Sequence, residues 1–363
     1  MKIAFYGSSL LSAYWNGAAT YYRGLLRALA GRGYDITFYE PDVYGRQQNR
    51  DIDPPDWCKV VVYDGTVNAL RMVAADAGRA DIVVKASGVG FEDDLLLEAV
   101  LANARLEALK IFWDVDAPAT LAEIHAAPDH PLRKALKRLD LILTYGGGDP
   151  VVSAYRSVGA RDCLPVYNAL DPETHHPVPR EPRFAADLGF LGNRLPDREA
   201  RVEHFFLEPA ACLPAQRFLL GGSGWEDKPL PSNISYIGHV STRDHNAFNV
   251  SAKAVLNVSR TSMAENGFSP ATRVFEAAGA GACLITDSWE GIELFLKPQD
   301  EVLIARDGRD VRDILVELTQ AKASEIGRRA RARVLAEHTY GHRAERVDAL
   351  FRSRLEARVE VAE

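Results

Sequence analysis

SPATRVFEAAGAGACLITD, residues 269–287, is the stretch from which the fold can be read. Ser269 followed by Pro270 is a helix-start signal, because a serine oxygen can cap free N–H groups and proline is tolerated in a first turn. Val274, Phe275, Ala277 and Ala278 fall at helical spacing and form an apolar face. Arg273 and Glu276, three residues apart, share a different face. Gly279 and Gly281 are expected to end the helix, and Cys283 to Thr286 reads as a short buried strand stopping at Asp287. This is half of an α/β unit. Ligands of open α/β sheets bind beyond the carboxyl ends of strands, so a guanidinium and a carboxylate at a helix start point to a polar, anionic ligand. A surface Arg–Glu pair at i,i+3 is the plain alternative.

Working outward, strand and helix patterns alternate along the whole chain. Residues 2–6 form an apolar run closed by Gly7-Ser8-Ser9, and a polar loop through Asn16-Gly17 leads to a helix at 18–30. Strands follow at 35–39, 59–63, 82–85, 110–113, 139–144 and 163–166, with a helix at 95–108. The segment 168–182, NALDPETHHPVPREP, is rich in proline and polar residues and reads as a linker. A second set then begins, with strands at 188–191, 218–220, 234–238, 254–258, 284–286 and 302–304 and helices at 198–211, 324–338 and 340–355. Alternation of this kind means parallel sheets with helices on both faces.

Several strand ends carry chemistry. Asp114 and Asp116 follow the strand KIFW, where either carboxylate could act as base, position a hydroxyl or hold a metal; capping of the next helix is the structural alternative. Tyr145 and three glycines follow LILT in the same way. In the second half, the junctions Gly192-Asn193-Arg194, Gly221-Gly222-Ser223-Gly224 and 259–268, which includes Glu265, Gly267 and Phe268, should converge on the edge that carries Arg273 and Glu276. His175 and His176 are adjacent and so point in different directions, which argues against a shared metal.

Composition sets the limits. The 363 residues are 47% hydrophobic and 26% charged, an ordinary globular balance sufficient for two domains. A net charge of −7 argues against a general nucleic-acid or anionic-membrane surface. The four cysteines lie far apart with no C-x-x-C pair, and neither a leader-like N-terminus nor a long apolar run is present, which reads as a cytoplasmic protein without a transmembrane segment.

Two α/β domains of similar size, a proline-rich joint and a helical tail resemble the GT-B glycosyltransferases. TRVFEAAGAGACLITD, EVLIA and EHTYGHRAER, together with FWDVDAP, NALDPETHHP and FLGNRLPDR, are similar to motifs of the CgeB-like (spore maturation protein) glycosyltransferase family. The resemblance implies an acceptor domain at 1–168, a linker at 169–182, a nucleotide-sugar donor domain at 183–339 and a tail helix at 340–363 returning to the first domain, with a cleft between two Rossmann-like domains. It implies a nucleoside-diphosphate sugar as co-substrate, no separate cofactor and no metal. Glu276 matches the second glutamate of an E-x7-E motif, at the donor ribose. Glu265 lies eleven positions earlier, where the pattern has eight. Arg194 and Arg273 would face the diphosphate, whose growing negative charge an arginine stabilises by charge-assisted hydrogen bonds. Asp114 or Asp116 would activate the acceptor hydroxyl.

Three other readings fit parts of the pattern. Asp114-Val115-Asp116 spells the D-x-D of a single-domain, manganese-dependent glycosyltransferase class, but here a complete second domain carries the donor signature. A sugar-nucleotide epimerase of similar form would need no acceptor, and a non-catalytic nucleotide-sugar binder would keep Glu276 and Arg273 without turnover.

Overall fold

The computed structural model describes residues 1–14 and 16–362, so the last residue expected in the tail, Glu363, lies outside the described residues. The chain forms two compact units, Met1–Asn168 with Tyr340–Glu363, and Ala169–Thr339.

The first unit is built on a seven-stranded parallel sheet. Its strands are β1 (Lys2–Tyr6), β2 (Asp35–Asp42), β3 (Lys59–Asp64), β4 (Ile82–Ala86), β5 (Leu109–Asp114), β6 (Leu141–Thr144) and β7 (Cys163–Pro165), in the order β3-β2-β1-β4-β5-β6-β7. β1, β4, β5 and β6 are apolar runs buried on both faces, the signature of a parallel sheet covered by helices. The helix expected at 95–108 runs over Asp93–Asn103 instead. Two aspartates open it, favoured by the dipole of a helix start, and residues 104–108 lead into β5.

The tail helix Tyr340–Ala362 belongs to this unit and packs on the helix Ala18–Ala30. Gly24 makes that contact possible, since a methyl there would overlap the Tyr340 ring. Arg343, buried, donates to the carbonyls of Tyr167 and Asn168, both at 3.2 Å, which ties the tail to the last residues of the first stretch.

The second unit has a six-stranded parallel sheet. Its strands are β8 (Leu188–Leu191), β9 (Phe218–Gly221), β10 (Ile234–Tyr236), β11 (Ala254–Asn257), β12 (Leu284–Asp287) and β13 (Leu303–Ala305), in the order β10-β9-β8-β11-β12-β13. Both sheets therefore reverse direction of growth beside their first strand, between β1 and β4 and between β8 and β11. In doubly wound folds that switch point is where loops diverge and ligands bind. The core of the second unit gathers Phe190, Phe206, Phe218, Trp225, Ile285 and Ile326 around the sheet.

The helix that leads into β12 starts later than its sequence signal. It spans Thr272–Ala280, its cap position is Ala271 with no side-chain cap bond, and Ser269 lies buried in the preceding loop. Gly281 closes it at φ +80°, the left-handed geometry a helix terminus needs. Gly279, expected to share in ending the helix, lies inside it and serves a close approach: an added Cβ would lie 3.0 Å from the His175 carbonyl oxygen and overlap Leu170. Residues 169–177 are thus laid along this helix, with Leu170 and His175 buried. Among the described residues no helix is long and apolar enough to cross a membrane.

Candidate functional site

The loop after β8 and the loop after β9 are stitched together by their own backbone. Gly192 donates to the Gly221 carbonyl at 2.9 Å, Ser223 donates to the Asn193 side-chain oxygen at 2.9 Å, and the Trp225 indole donates to the Gly192 carbonyl at 2.8 Å. Gly222, at φ +119°, has no room for a side chain against Gly192, so its glycine is required by backbone packing as well as by conformation.

Arg273 stands at the switch point of this sheet. Its guanidinium donates to the Leu191 carbonyl at the end of β8 and, at 3.3 Å, to the Asn257 side-chain oxygen at the end of β11. Arg198, four residues beyond Arg194, approaches from the other side. It donates to the Asn193 carbonyl at 2.5 Å, and its Nε is buried with no partner. Both guanidiniums lie over the Phe190 ring, with 5.5 Å for Arg273 and 5.8 Å for Arg198 to the centroid. An added Cβ at Gly192 would sit 3.3 Å and 3.0 Å from their respective nitrogens and 3.1 Å from the Phe190 ring, so Gly192 is closely flanked by two cations.

The electrostatics of this corner are unbalanced. Neither arginine forms a salt bridge among the described residues. Burial, reinforced by Arg273, pulls the Arg198 pKa down to about 10, and burial lowers that of Arg273 while Glu276 opposes the shift. Arg273 also occupies the first turn of its helix, where no acidic residue stands and where the dipole favours anions. Two neighbouring guanidiniums, one of them at a helix start, have the chemistry to hold a doubly charged anion. Glu276 follows one turn later on the same helix, half-buried and without a hydrogen bond among the described residues. Close to it stand His245, whose pKa burial lowers, and His175.

The remaining sequence candidates are more dispersed. Arg194 is held by Glu199 at 2.7 Å and Asp227 at 2.8 Å, and those carboxylates, Glu199 first, raise its pKa. Its charge is already compensated. Glu265 is exposed on a short helix, Thr261–Asn266, in a region expected to be loop. Gly267 (φ +66°) and Phe268 (φ +48°) form a strained turn pinned to the next loop, with the Phe268 N–H donating to the Glu290 carbonyl at 2.6 Å.

In the first unit Asp114 is fully buried, and its oxygens are taken. They accept from Ser87 at 2.7 Å, Thr120 at 3.0 Å, the Asp116 N–H at 3.1 Å and the Tyr155 hydroxyl. Burial raises its pKa against the effect of those donors. A carboxylate so enclosed holds the loop after β5 in shape. Asp116, two residues on, is half-buried at the start of the helix Ala117–Ala126.

Sequence reading missed Arg198 and His245. For Arg198 a signal existed, since FLGNRLPDR contains a second arginine at i+4, on the face of a starting helix. For His245 none did, because its neighbours come from residues 31 and 70 positions away.

The two sheets and their topology are those of the GT-B fold. Residues 198–349 match the family described as glycosyl transferase-like, and together with the fold this supports a glycosyltransferase. The structure is similar to Anabaena HepE, crystallised with UDP and glucose, at 13% identity and a TM-score of 0.69, over 97% of this chain and 100% of that one. It is similar to sucrose-phosphate synthase of Thermosynechococcus elongatus at 13% identity and a TM-score of 0.72, over 98% and 100% of the two chains. A third similar structure is the DNA-modifying β-glucosyltransferase, at 13% identity and a TM-score of 0.62, over 98% and 100%. Among curated proteins none matches the sequence significantly.

Proposed function

We propose that this protein transfers a sugar from a nucleoside-diphosphate sugar to a hydroxyl-bearing acceptor, without a catalytic metal, in the manner of the CgeB-like glycosyltransferases. The observation that carries the reading is the pair Arg198 and Arg273, two desolvated guanidiniums without carboxylate partners at the switch point of the second sheet. They supply the positive charge that a leaving diphosphate needs, placed before the reaction begins. Glu276 would accept from the vicinal ribose hydroxyls, for which a carboxylate with unoccupied lone pairs is suited. That HepE was crystallised with UDP and glucose agrees with a donor of this class.

On the acceptor side, Asp116 is the better candidate for the base, because Asp114 is enclosed. Asp114 then acts through the loop it shapes. The protein would work in the cytoplasm, where nucleotide sugars are made.

The test is calorimetric titration of the full-length protein with a panel of nucleoside diphosphates. Glu276→Ala should weaken the nucleotide that binds by about 1.5 to 3 kcal/mol per lost hydrogen bond to the charged group. Unchanged affinity would remove Glu276 from the site. Hydrolysis or epimerisation of the matching nucleotide sugar, with no acceptor-dependent product, would replace transfer by one of those reactions.

A further inference from the structure

The residues laid along the Thr272–Ala280 helix bring a second set of polar groups to Glu276. His175 is 4% exposed, whereas its neighbour His176 is exposed and faces the Pro177 carbonyl. The His175 backbone is seated on Gly279, so the ring position is fixed by a contact that a larger residue would abolish. Its Nδ1 lies 3.0 Å from the Thr174 hydroxyl, and its Nε2 is buried with no partner. Facing it is His245, the first residue of the helix His245–Ser251. The His245 Nε2–H donates to the Val240 carbonyl at 3.3 Å, which leaves the lone pair of Nδ1 free to bind a ligand. The two rings stand 6.5 Å apart between centroids. One ligand atom from each of His175, His245 and Glu276 lies within 4.8 Å of the other two.

We infer that His175, His245 and Glu276 form a binding site for one divalent transition-metal ion of the zinc class. Three groups that carry lone pairs converge here without hydrogen-bonding one another. Two imidazoles with one carboxylate suit zinc and its neighbours, whereas magnesium and calcium select oxygen donors. With Nε2 of His175 and Nδ1 of His245 as the ligating atoms, each imidazole has an oxygen at its other nitrogen, the arrangement that fixes the tautomer and aims the ligating lone pair. This site has no part in the chemistry proposed for transfer. It shares Glu276 with the nucleotide, so bound metal withdraws the carboxylate from the ribose and the two ligands compete. That consequence rests on the role proposed for Glu276; the metal site does not.

Full-length protein, stripped with a chelator, is titrated with zinc in the absence of nucleotide. One equivalent should bind. His175→Ala and His245→Ala should each weaken it at least about 100-fold, and His176→Ala should leave it unchanged. Cobalt in place of zinc should give visible ligand-field bands that both variants lose. Zinc should raise the Tm of the wild type and not that of the variants. If either alanine variant lacks a cooperative melting transition, Glu276→Gln provides the third ligand deletion. Absence of uptake by the wild type, or equal uptake by the His175→Ala/His245→Ala double variant, overturns the site. Nucleotide affinity that is the same with and without one equivalent of zinc overturns the sharing of Glu276.

Discussion

Arg194 and Arg198 leave the same loop and meet opposite surroundings. Arg194 is neutralised by Glu199 and Asp227, while Arg198 has a buried Nε without a partner and a second cation beside it. Arg198→Ala should therefore lower the affinity for the nucleoside diphosphate at least tenfold, about 1.5 to 3 kcal/mol, by calorimetry. Arg194→Ala should leave the affinity unchanged within error. The two aspartates at the carboxyl end of β5 divide in the same way. Asp114→Ala strands four donors in the interior and should cost about 3 kcal/mol or more in denaturant unfolding. Asp116→Asn should leave the unfolding midpoint in place while the transfer rate falls by about 100-fold or more, as loss of a general base does. Residue types were legible in the sequence. Their environments were not, because the partners of Arg194 lie 5 and 33 positions away and those of Asp114 up to 41.

Strands are the elements that the sequence announced most clearly, because a strand buried on both faces has to be a continuous apolar run. Short helices were harder. Thr261–Asn266 and His245–Ser251 have few apolar residues and are held by their surroundings, so no period marks them. The Ser269-Pro270 signal misplaced the helix cap by two residues, since Ser269 lies buried in the preceding loop and Ala271 takes the cap position. Downstream, the Gly308–Glu317 helix carries its cap openly: Asp307 accepts from the Arg309 and Asp310 N–H groups, both at 2.9 Å. Asp307→Ala should cost about 1 kcal/mol in the same unfolding assay. Within that helix, hydrogen bonds from Arg306 hold the Asp310 pKa at about 2. A carboxylate depressed in the folded state stabilises fully above its ordinary value of 3.8 and loses that contribution as pH falls through about 2. Asp310→Asn should flatten the acid limb of the stability curve in that interval, by less than about 1 kcal/mol for so solvated a pair.

At the level of the whole molecule, alternating periods were enough to foresee two parallel sheets, but strand order was not readable, because it depends on which buried edges pair. For the tail, EHTYGHRAER shows its meaning only in three dimensions, where Tyr340 fits over Gly24 and Arg343 reaches the carbonyls of Tyr167 and Asn168. Deleting the chain after Thr339 should therefore lower the melting temperature of the first unit and leave nucleotide binding by the second largely intact. Loss of both would mean that the second unit also depends on the tail. The tail has a further consequence for how the protein is made. The second unit is, in topology, an insertion between two segments of the first, and the partner of residue 24 is residue 340. On the ribosome the second unit can fold as soon as it emerges, while the first waits with an apolar helix face uncovered until the segment from residue 340 on has been made. Vectorial synthesis thus finishes the second unit before the first, and a chain stalled before residue 340 carries a folded second unit beside an unfinished first.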